Sequence, residues 1–251
     1  MESEHREFLD EVLKLARKMG AEYADCRLYP ESESEEIKVE NGQLVSVGSA
    51  KSAGFGVRVL VNGSWGFYSS PVLTKEKIKE VVEHAVQSAE VAASLQKQKV
   101  VLALLRELWP KEKVGVYQTK VEVDPFEVSL EQKIILLASA DEAMKQSSQK
   151  VFWRIAEMTL LRTHKLFAST EGVLTDQTIV ECGAYAQVHA TAKQGEDTQR
   201  RSYPEAHVYL LQGGYEVIRS LELVENAKLI AQEAEALLKA PYAPFGKRGI
   251  I

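Results

Sequence analysis

The sequence predicts an α+β protein in which helices are layered on a largely antiparallel sheet. Three observations support this class: a complete β-hairpin at residues 54–70, amphipathic helical patterns on either side of alternating stretches, and an order of helix, strands and helix that occurs twice. With 251 residues, 45% of them hydrophobic, the chain can bury a core as one large domain or as two domains of ordinary size.

The hairpin has the sequence GFGVRVLVNGSWGFYSS. Asn62 and Gly63 supply the two positive φ angles that a type I′ turn requires. A two-residue loop sets the register, and both faces of the hairpin are largely apolar. We therefore expect helices to cover one face and more protein to cover the other. The expected pairs are Leu60 with Trp65, Val59 with Gly66, Arg58 with Phe67 and Val57 with Tyr68.

The first half begins with a helix over residues 3–19, which Gly20 ends. Strands near 22–30 and 34–40, a turn at Asn41-Gly42 and a further strand lead into the hairpin. The acidic pair Glu35-Glu36 is expected on a solvated strand edge. Thr74 opens a second helix, which fades near Leu95. Its predicted inward residues are Ile78, Val81, Val82, Ala85 and Ala89.

The second half begins with a capping box, Ser129 to Gln132, which opens a helix. The inward side of that helix is predicted to carry Ile134, Leu137, Ala138, Asp141 and Met144. Strands are expected near 150–161, 164–170, 173–181, 182–192 and 199–211. A last helix over about 221–239 is ended by Pro241.

Matching turns indicate that the two halves are duplicates. Asn41-Gly42 corresponds to Glu171-Gly172 at an offset of 130, and Gly54-Phe55-Gly56 corresponds to Gly183-Ala184-Tyr185 at an offset of 129. Recurrence of turn glycines by chance is the alternative. We expect a first α/β unit at 1–95, a linker at 96–128, a second α/β unit at 129–240 and a tail at 241–251. Within the linker, Val100 to Leu108 has helical spacing and Lys111 to Pro125 is predicted to be extended.

Composition excludes several classes of protein. A net charge of −5 argues against a general affinity for nucleic acid. No apolar run approaches the roughly 18 residues of a membrane span, and the start of the chain lacks a signal peptide, so a cytoplasmic location is expected. Cys26 and Cys182 are expected to be buried free thiols.

The residues that bear catalytic chemistry are scattered. The five histidines lie on different elements, and no two have the spacing of helical zinc ligands. His189 and His207 are expected on neighbouring strands, which leaves a two-histidine site open, although no third ligand lies nearby. The sequence therefore predicts neither catalytic residues nor a metal site in this chain.

One segment is a candidate for binding an extended peptide. The strand expected at 203–211 has basic, aromatic and glycine residues at its ends, and adjacent glycines permit another backbone to approach closely. The alternative is that the glycines only turn the chain into the last helix. The candidate peptide-binding residues are Arg201, Tyr203, Gly213, Gly214 and Tyr215.

Several segments along the whole chain resemble the TldD/PmbA family, once called modulators of DNA gyrase and understood as zinc-dependent peptidases. They are the hairpin, VDPFEVSLEQK at 123–133, KLFASTEG at 165–172, RSYP at 201–204, QGGYE at 212–216 and APYAPFGKRGII at 240–251. The resemblance covers only the N-terminal half of the family. It implies that zinc is bound by a His-Glu-x-x-x-His motif in a C-terminal half that is missing here, and that members form homodimers or heterodimers.

The resemblance implies a substrate-positioning and assembly domain of a zinc-dependent peptidase that acts on unstructured peptides. A non-catalytic protein that binds a peptide or a partner is the alternative. A modulator of gyrase or of nucleic acid is a third possibility, which the acidic charge does not support. The last residues, Gly249 to Ile251, are expected to begin a strand that self-associates or docks on a partner.

Overall fold

A computed structural model describes residues 3–103, 113–193, 197–204, 207–241 and 246, apart from the side chain of Lys113. It confirms the predicted α+β class, with helices on a sheet that is largely antiparallel. Within these residues the helices are α1 (Ser3–Lys18), α2 (Lys75–Leu95), α3 (Leu130–Ser147), α4 (Tyr215–Ser220) and α5 (Leu223–Leu237). The strands are β1 (Tyr23–Glu40), β2 (Gln43–Val61), β3 (Ser64–Ser70), β4 (Lys113–Gln118), β5 (Val151–Ser169), β6 (Val173–Thr191), β7 (Thr198–Tyr203) and β8 (Leu211–Gln212).

The strands lie in the order β3-β2-β1-β5-β6-β4, and β7 and β8 also pair with β6. The pair β4 and β6 is parallel, whereas β7 and β8 run antiparallel to β6. Both halves of the described chain show the predicted order of a helix, strands and a closing helix. Superposition of the two halves stays a prediction.

Three strands are longer than the sequence predicted. The two strands expected over 22–40 form β1, and those expected over 150–170 and 173–192 form β5 and β6. The polar run from Glu31 to Glu36 predicted an interruption of β1. The run nevertheless remains extended, because its backbone stays in the sheet. Conversely, the strand expected at 199–211 is wrong, because β7 ends at Tyr203 and residues 207–210 are not in a strand.

The described chain divides into two compact units. Unit 1 comprises residues 1–34, 49–120 and 161–180, and unit 2 comprises 35–48, 121–160 and 181–251. This division differs from the sequence boundaries at 95 and 129, because the long strands each contribute to both units. No helix in the described part of the chain is long and apolar enough to cross a lipid bilayer.

The core of unit 1 lies between its helices and one face of its strands. It contains Leu9, Val12 and Ala16 from α1 and the predicted inward stripe of α2. Thr74 caps α2 as expected, since its hydroxyl accepts from the backbone N–H of Lys77. The strand residues of this core include Ala24, Cys26, Leu28, Val57, Val59, Leu166 and Ala168.

The predicted hairpin register is confirmed at all four pairs. Asn62 and Gly63 have φ angles of 51° and 75°, as a type I′ turn requires. Gly66 packs so closely on α2 that a Cβ atom there would lie 1.9 Å from the carbonyl oxygen of Ala85. The expectation that protein covers the other face is wrong at Phe67, which is 54% exposed.

Unit 2 contains α3, α5 and the second half of β6, where residues 182–188 are buried in succession. Ser129 caps α3 as predicted. The predicted stripe of α3 is correct at Leu137, Asp141 and Met144 but wrong at Ala138, which is exposed. Lys133 and Ala140 are buried instead. The buried positions are therefore three or four residues apart, and one of them is a lysine.

Two more expectations, the strand edge at Glu35 and the helix that begins at Val100, are wrong within the described residues. Glu35 does not lie at a sheet edge, because β1 is flanked by β2 and β5, and its carboxylate accepts a hydrogen bond from the Lys133 ammonium. Part of the predicted linker forms β4. Residues 100–103 are not helical, and the rest of the helix expected there, like the tail from 247 to 251, lies outside the described residues.

Candidate functional site

The first part of the candidate peptide-binding site lies on β7. Arg201 is the register partner of Val188 on β6, and Tyr203 is the partner of Ala186. Among the described strands, β6 is the only one that pairs with β7, so the other edge of β7 is open there. An open edge presents backbone N–H and C=O groups that an added strand can use.

The guanidinium of Arg201 already has a carboxylate partner. Its Nε atom donates to Oε2 of Glu233 on α5 at 2.7 Å, and a second nitrogen donates to the same oxygen. Both side chains are about half exposed, at 46% and 50%. Because exposed ion pairs contribute little stability, this pair can exchange for a pair with a ligand at small cost.

The second part of the candidate site lies where the chain enters α4. A Cβ atom on Gly214 would lie 2.3 Å from the carbonyl oxygen of Val123, and Gly213 has a φ of +154°. Tyr215 is buried, and its backbone N–H donates to the same oxygen of Val123 at 2.8 Å. The close backbone that Gly214 admits is therefore the chain's own residue 123, whereas Gly213 lies against the side chain of Val217.

Glu216 completes this internal contact, and the sequence analysis did not single it out. Its carboxylate accepts from the N–H groups of Gly214 at 2.6 Å and Val123 at 3.0 Å. Partial burial raises the pKa of this carboxyl, but the backbone donors outweigh it and hold the pKa below its ordinary value. The glutamate at the second residue of a helix was the available signal, since it resembles a capping box.

The two parts of the candidate site lie apart along β6. Tyr203 pairs at Ala186, whereas β8, just before the glycines, pairs at Cys182. Four residues of strand separate these positions by about 13 Å. Between them, the backbone of Tyr209 crosses β6, where a Cβ on Gly183 would lie 2.5 Å from the Tyr209 carbonyl oxygen. Arg201 and Tyr203 thus form one surface, and Gly213, Gly214 and Tyr215 form a separate, filled contact.

The two histidines considered as a metal site do not form one. His189 on β6 lies against the rings of Trp153 and Phe152, whereas His207 is exposed outside any strand. Burial, together with the Arg200 charge, lowers the pKa of His189 below its ordinary value. His189 is therefore part of an aromatic cluster.

Buried charges other than Asp141 are the feature that sequence reasoning missed. Asp25 in unit 1 is fully buried and lies between the guanidinium groups of Arg27 and Arg58. Lys133 and Asp141 in unit 2 are each 1% exposed and are paired with Glu35 and Arg154. The signal in the sequence was a charged residue at a position where the helical pattern expects an apolar one. Lys133 is such a residue, because it lies four residues before the buried Leu137.

Two family models match this chain. PmbA/TldA metallopeptidase domain 1 matches residues 28–89, and the PmbA/TldA metallopeptidase central domain matches residues 123–240. The matches extend over well more than half of the sequence, in the order expected from the resemblance. The chain belongs to the PmbA/TldD family.

Proteins named metalloprotease from two archaea are among its relatives. The chain is 24% identical over 232 residues to one from Methanocaldococcus jannaschii, covering 92% of this chain and 48% of that protein. It is 25% identical over 230 residues to one from Methanothermobacter thermautotrophicus, covering 92% and 46%. The chain thus spans about half the length of the curated relatives that it matches.

Solved structures of family members have the same fold. A protein from Thermotoga maritima, described as a modulator of a DNA gyrase, superimposes with a TM-score of 0.72 at 19% identity over 96% of this chain and 50% of that one. TldE from Thermococcus kodakarensis gives a TM-score of 0.59 at 13% identity over 92% and 47%. At these identities the likeness establishes the fold alone.

The name metallopeptidase implies a metal ion. In the parts of the chain that the structure describes, no group of three or more His, Cys, Asp or Glu side chains is arranged to hold one. These residues do not fit a zinc ion, which needs about four ligands in tetrahedral geometry.

Proposed function

We propose that this chain is the N-terminal substrate-positioning and assembly region of a TldD/PmbA-type zinc-dependent peptidase that acts on unstructured peptides. The observation that carries the proposal is the match to the family's first and central domains over about half the length of relatives named metalloproteases. Zinc would then be held by a C-terminal half of the family architecture, in the same assembly or in a TldD/PmbA-type partner. The assembly would be a homodimer or a heterodimer.

The open edge of β7 supports the peptide-positioning role. An extended peptide that adds to this edge gains main-chain hydrogen bonds, which do not depend on its sequence. Tyr203 offers a ring beside the added strand. Arg201 offers a guanidinium once it leaves Glu233. We keep Arg201 and Tyr203 as peptide-contacting residues. We assign Gly213, Gly214 and Tyr215 to the internal contact at the start of α4.

A peptide-binding titration tests this role. An unstructured peptide with one carboxylate and an uncharged fluorescent label is titrated with the purified chain, and its anisotropy is followed. Arg201→Ala is expected to weaken binding about 5-fold, which corresponds to about 1 kcal/mol. Glu233→Gln is expected to strengthen binding, because it removes the carboxylate that competes for Arg201.

Lys228→Ala is the matched control, since Lys228 is an exposed residue of α5 paired with Glu225. It should leave the affinity unchanged. Thermal unfolding of each variant shows whether the fold is intact. If Arg201→Ala and Glu233→Gln both leave the affinity unchanged in folded protein, the β7 edge is not the peptide-binding surface.

A non-catalytic binding protein is the second candidate. The lack of a metal-binding group among the described residues favours it. The two candidates differ when this chain is mixed with a zinc-bearing C-terminal half of a relative. A positioning region increases the rate of peptide cleavage by that half, whereas an independent binding protein leaves the rate unchanged or lowers it by sequestering the peptide.

A further inference from the structure

The sheet of unit 1 has a face that its helices do not cover, and we call it the open face. On β1, Ala24, Cys26 and Leu28 point into the core with α1 and α2. The alternating residues Asp25 and Arg27 therefore point to the opposite face. By the same alternation, the open face receives Arg58 and Leu60 from β2, Trp65 and Phe67 from β3, and Phe167 from β5.

Asp25 holds two arginines on this face. Its Oδ1 atom accepts from Arg27 at 2.8 Å, and its Oδ2 atom accepts from Nε and Nη2 of Arg58 at 2.8 Å and 2.6 Å. The carboxylate is fully buried, whereas the arginine side chains are 40% and 39% exposed. The arginines therefore cover the carboxylate and present their remaining donors to solvent.

The charges of this cluster do not balance. Among the described residues, Asp25 is the only acidic side chain paired with Arg27 or Arg58. Two guanidinium groups and one carboxylate leave one net positive charge. A single arginine would suffice to neutralise Asp25, so neutralisation alone does not explain the second.

Aromatic rings flank both guanidinium groups. Arg58 lies over the ring of Trp65, 4.6 Å from its centre, and Arg27 lies over Phe167 at 5.4 Å. Phe67 is directly opposite Arg58 in the register and is 54% exposed. Stacking on rings and bonding to Asp25 hold the guanidinium planes in place, so a ligand loses less side-chain entropy on binding them.

Tyr23 strengthens this arrangement. Its ring packs edge-on against Trp65 at 5.7 Å. Burial and the charge of Asp25 raise the pKa of Tyr23 to about 12. The phenol therefore stays neutral at physiological pH and adds no negative charge to the cluster.

We propose that the open face of unit 1 is a second binding site, which takes an acidic side chain of an extended peptide next to an aromatic or aliphatic residue. The carboxylate pairs with the free donors of Arg27 and Arg58, and the apolar neighbour packs on Phe67. Charge complementarity identifies this occupant, because the cluster lacks one negative charge. An acidic peptide is favoured over nucleic acid because one net charge beside apolar rings cannot track a phosphate backbone.

The test uses two blocked peptides, acetyl-Gly-Phe-Asp-Phe-Gly-amide and the same peptide with Asn in place of Asp. Calorimetric titration of the intact chain should show at least 5-fold tighter binding of the Asp peptide. In Arg27→Gln protein the preference for Asp should fall to less than 2-fold. In Phe67→Ala protein both peptides should bind more weakly while the preference remains.

Substitutions at two other exposed residues serve as controls. Lys51→Gln removes an exposed cation of unit 1 that is paired with Glu31 and Glu33, and Phe152→Ala removes a ring of unit 2 that is 52% exposed. Neither should change the preference for Asp. Thermal unfolding shows whether each variant is folded. If Arg27→Gln is unstable, the binding of the two peptides by Phe67→Ala protein still tests the proposed site.

Several results would overturn the proposal. They are equal binding of the two peptides by the unchanged chain, no measurable binding of either, an Asp preference that survives Arg27→Gln, or displacement of the Asp peptide by a short single-stranded oligonucleotide. The proposal does not depend on the β7 edge. Arg201→Ala protein should keep the full Asp preference, so failure at one surface is distinguishable from failure at the other.

Discussion

The Nζ atom of Lys133 lies 2.6 Å from Oε1 of Glu35, and this lysine is only 1% exposed. Lys133 is in the first turn of α3, and Glu35 is in the part of β1 that belongs to unit 2. The pair joins the helix to the sheet through a charge that the solvent hardly reaches. A charge buried in this way is stable only while its partner remains.

Removal of this ammonium should therefore destabilise the protein strongly. Lys133→Ala is expected to lower the free energy of unfolding by about 3 kcal/mol, because it leaves a cavity and a poorly solvated carboxylate. Urea titration measures the change. Lys145→Ala on the same helix, where the lysine is 61% exposed, should change it by less than about 0.5 kcal/mol. If the two substitutions lowered the free energy of unfolding equally, the buried pair of Lys133 and Glu35 would stabilise the protein no more than an exposed pair does.

The contact between β3 and α2 should be sensitive to a single methyl group. Gly66→Ala is expected to cost more than about 2 kcal/mol, since the new Cβ would lie 1.9 Å from the Ala85 oxygen and 2.7 Å from the Ala89 nitrogen. Gly48→Ala on β2 is the control, because a Cβ there meets nothing within 4 Å. That variant should be neutral or slightly stabilised. Thermal unfolding distinguishes the two, and a neutral Gly66→Ala would contradict the packing.

The contact at the start of α4 should depend on pH through Glu216. Its pKa is lowered on folding, so its contribution to stability is present above its unfolded pKa of about 4.5 and is lost as the pH falls through the folded value. We expect Glu216→Gln to cost about 1 kcal/mol at pH 7. The difference from the unchanged chain should disappear in acid. Urea titrations at several pH values measure it, with the exposed Glu225→Gln as control. A difference that does not shrink as the pH is lowered below 4.5 would contradict this assignment.

Both cysteines should be unreactive while the protein is folded. Cys26 and Cys182 are buried free thiols, as the sequence predicted, and burial raises the pKa of the Cys26 thiol. Since the thiolate is the reactive form, a colorimetric disulfide reagent should label neither residue in native protein and both in guanidinium chloride. Rapid labelling before denaturation would show that one of the two sites opens.

The sequence was sufficient wherever the interactions are local. The type I′ turn dictated the register of β2 and β3, and the hydroxyls of Thr74 and Ser129 marked the beginnings of two helices. Local patterns could not reveal β4, because its partner on β6 lies about 60 residues away in the sequence and the pairing is parallel. Local patterns also predicted breaks in the long strands at polar runs, although these runs remain extended within the sheet.

The candidate site was predictable only in part, for the same reason. Gly214 has the close backbone contact that adjacent glycines permit, but the sequence could not show that the partner is Val123 of the same chain. The cluster around Asp25 escaped notice because buried charges contradict the apolar alternation used to find strands. Arg58 lies on a different strand from Asp25, and only folding brings the two side chains together.

If this chain positions a peptide while another part of the family architecture supplies the zinc, the chain alone should bind a peptide without cleaving it. An unstructured peptide is incubated with the purified chain, with added zinc and with a chelator in parallel, and is analysed by mass spectrometry. We expect the peptide to bind and to remain intact in both samples. Cleavage by this chain alone that requires zinc and stops with the chelator would contradict it.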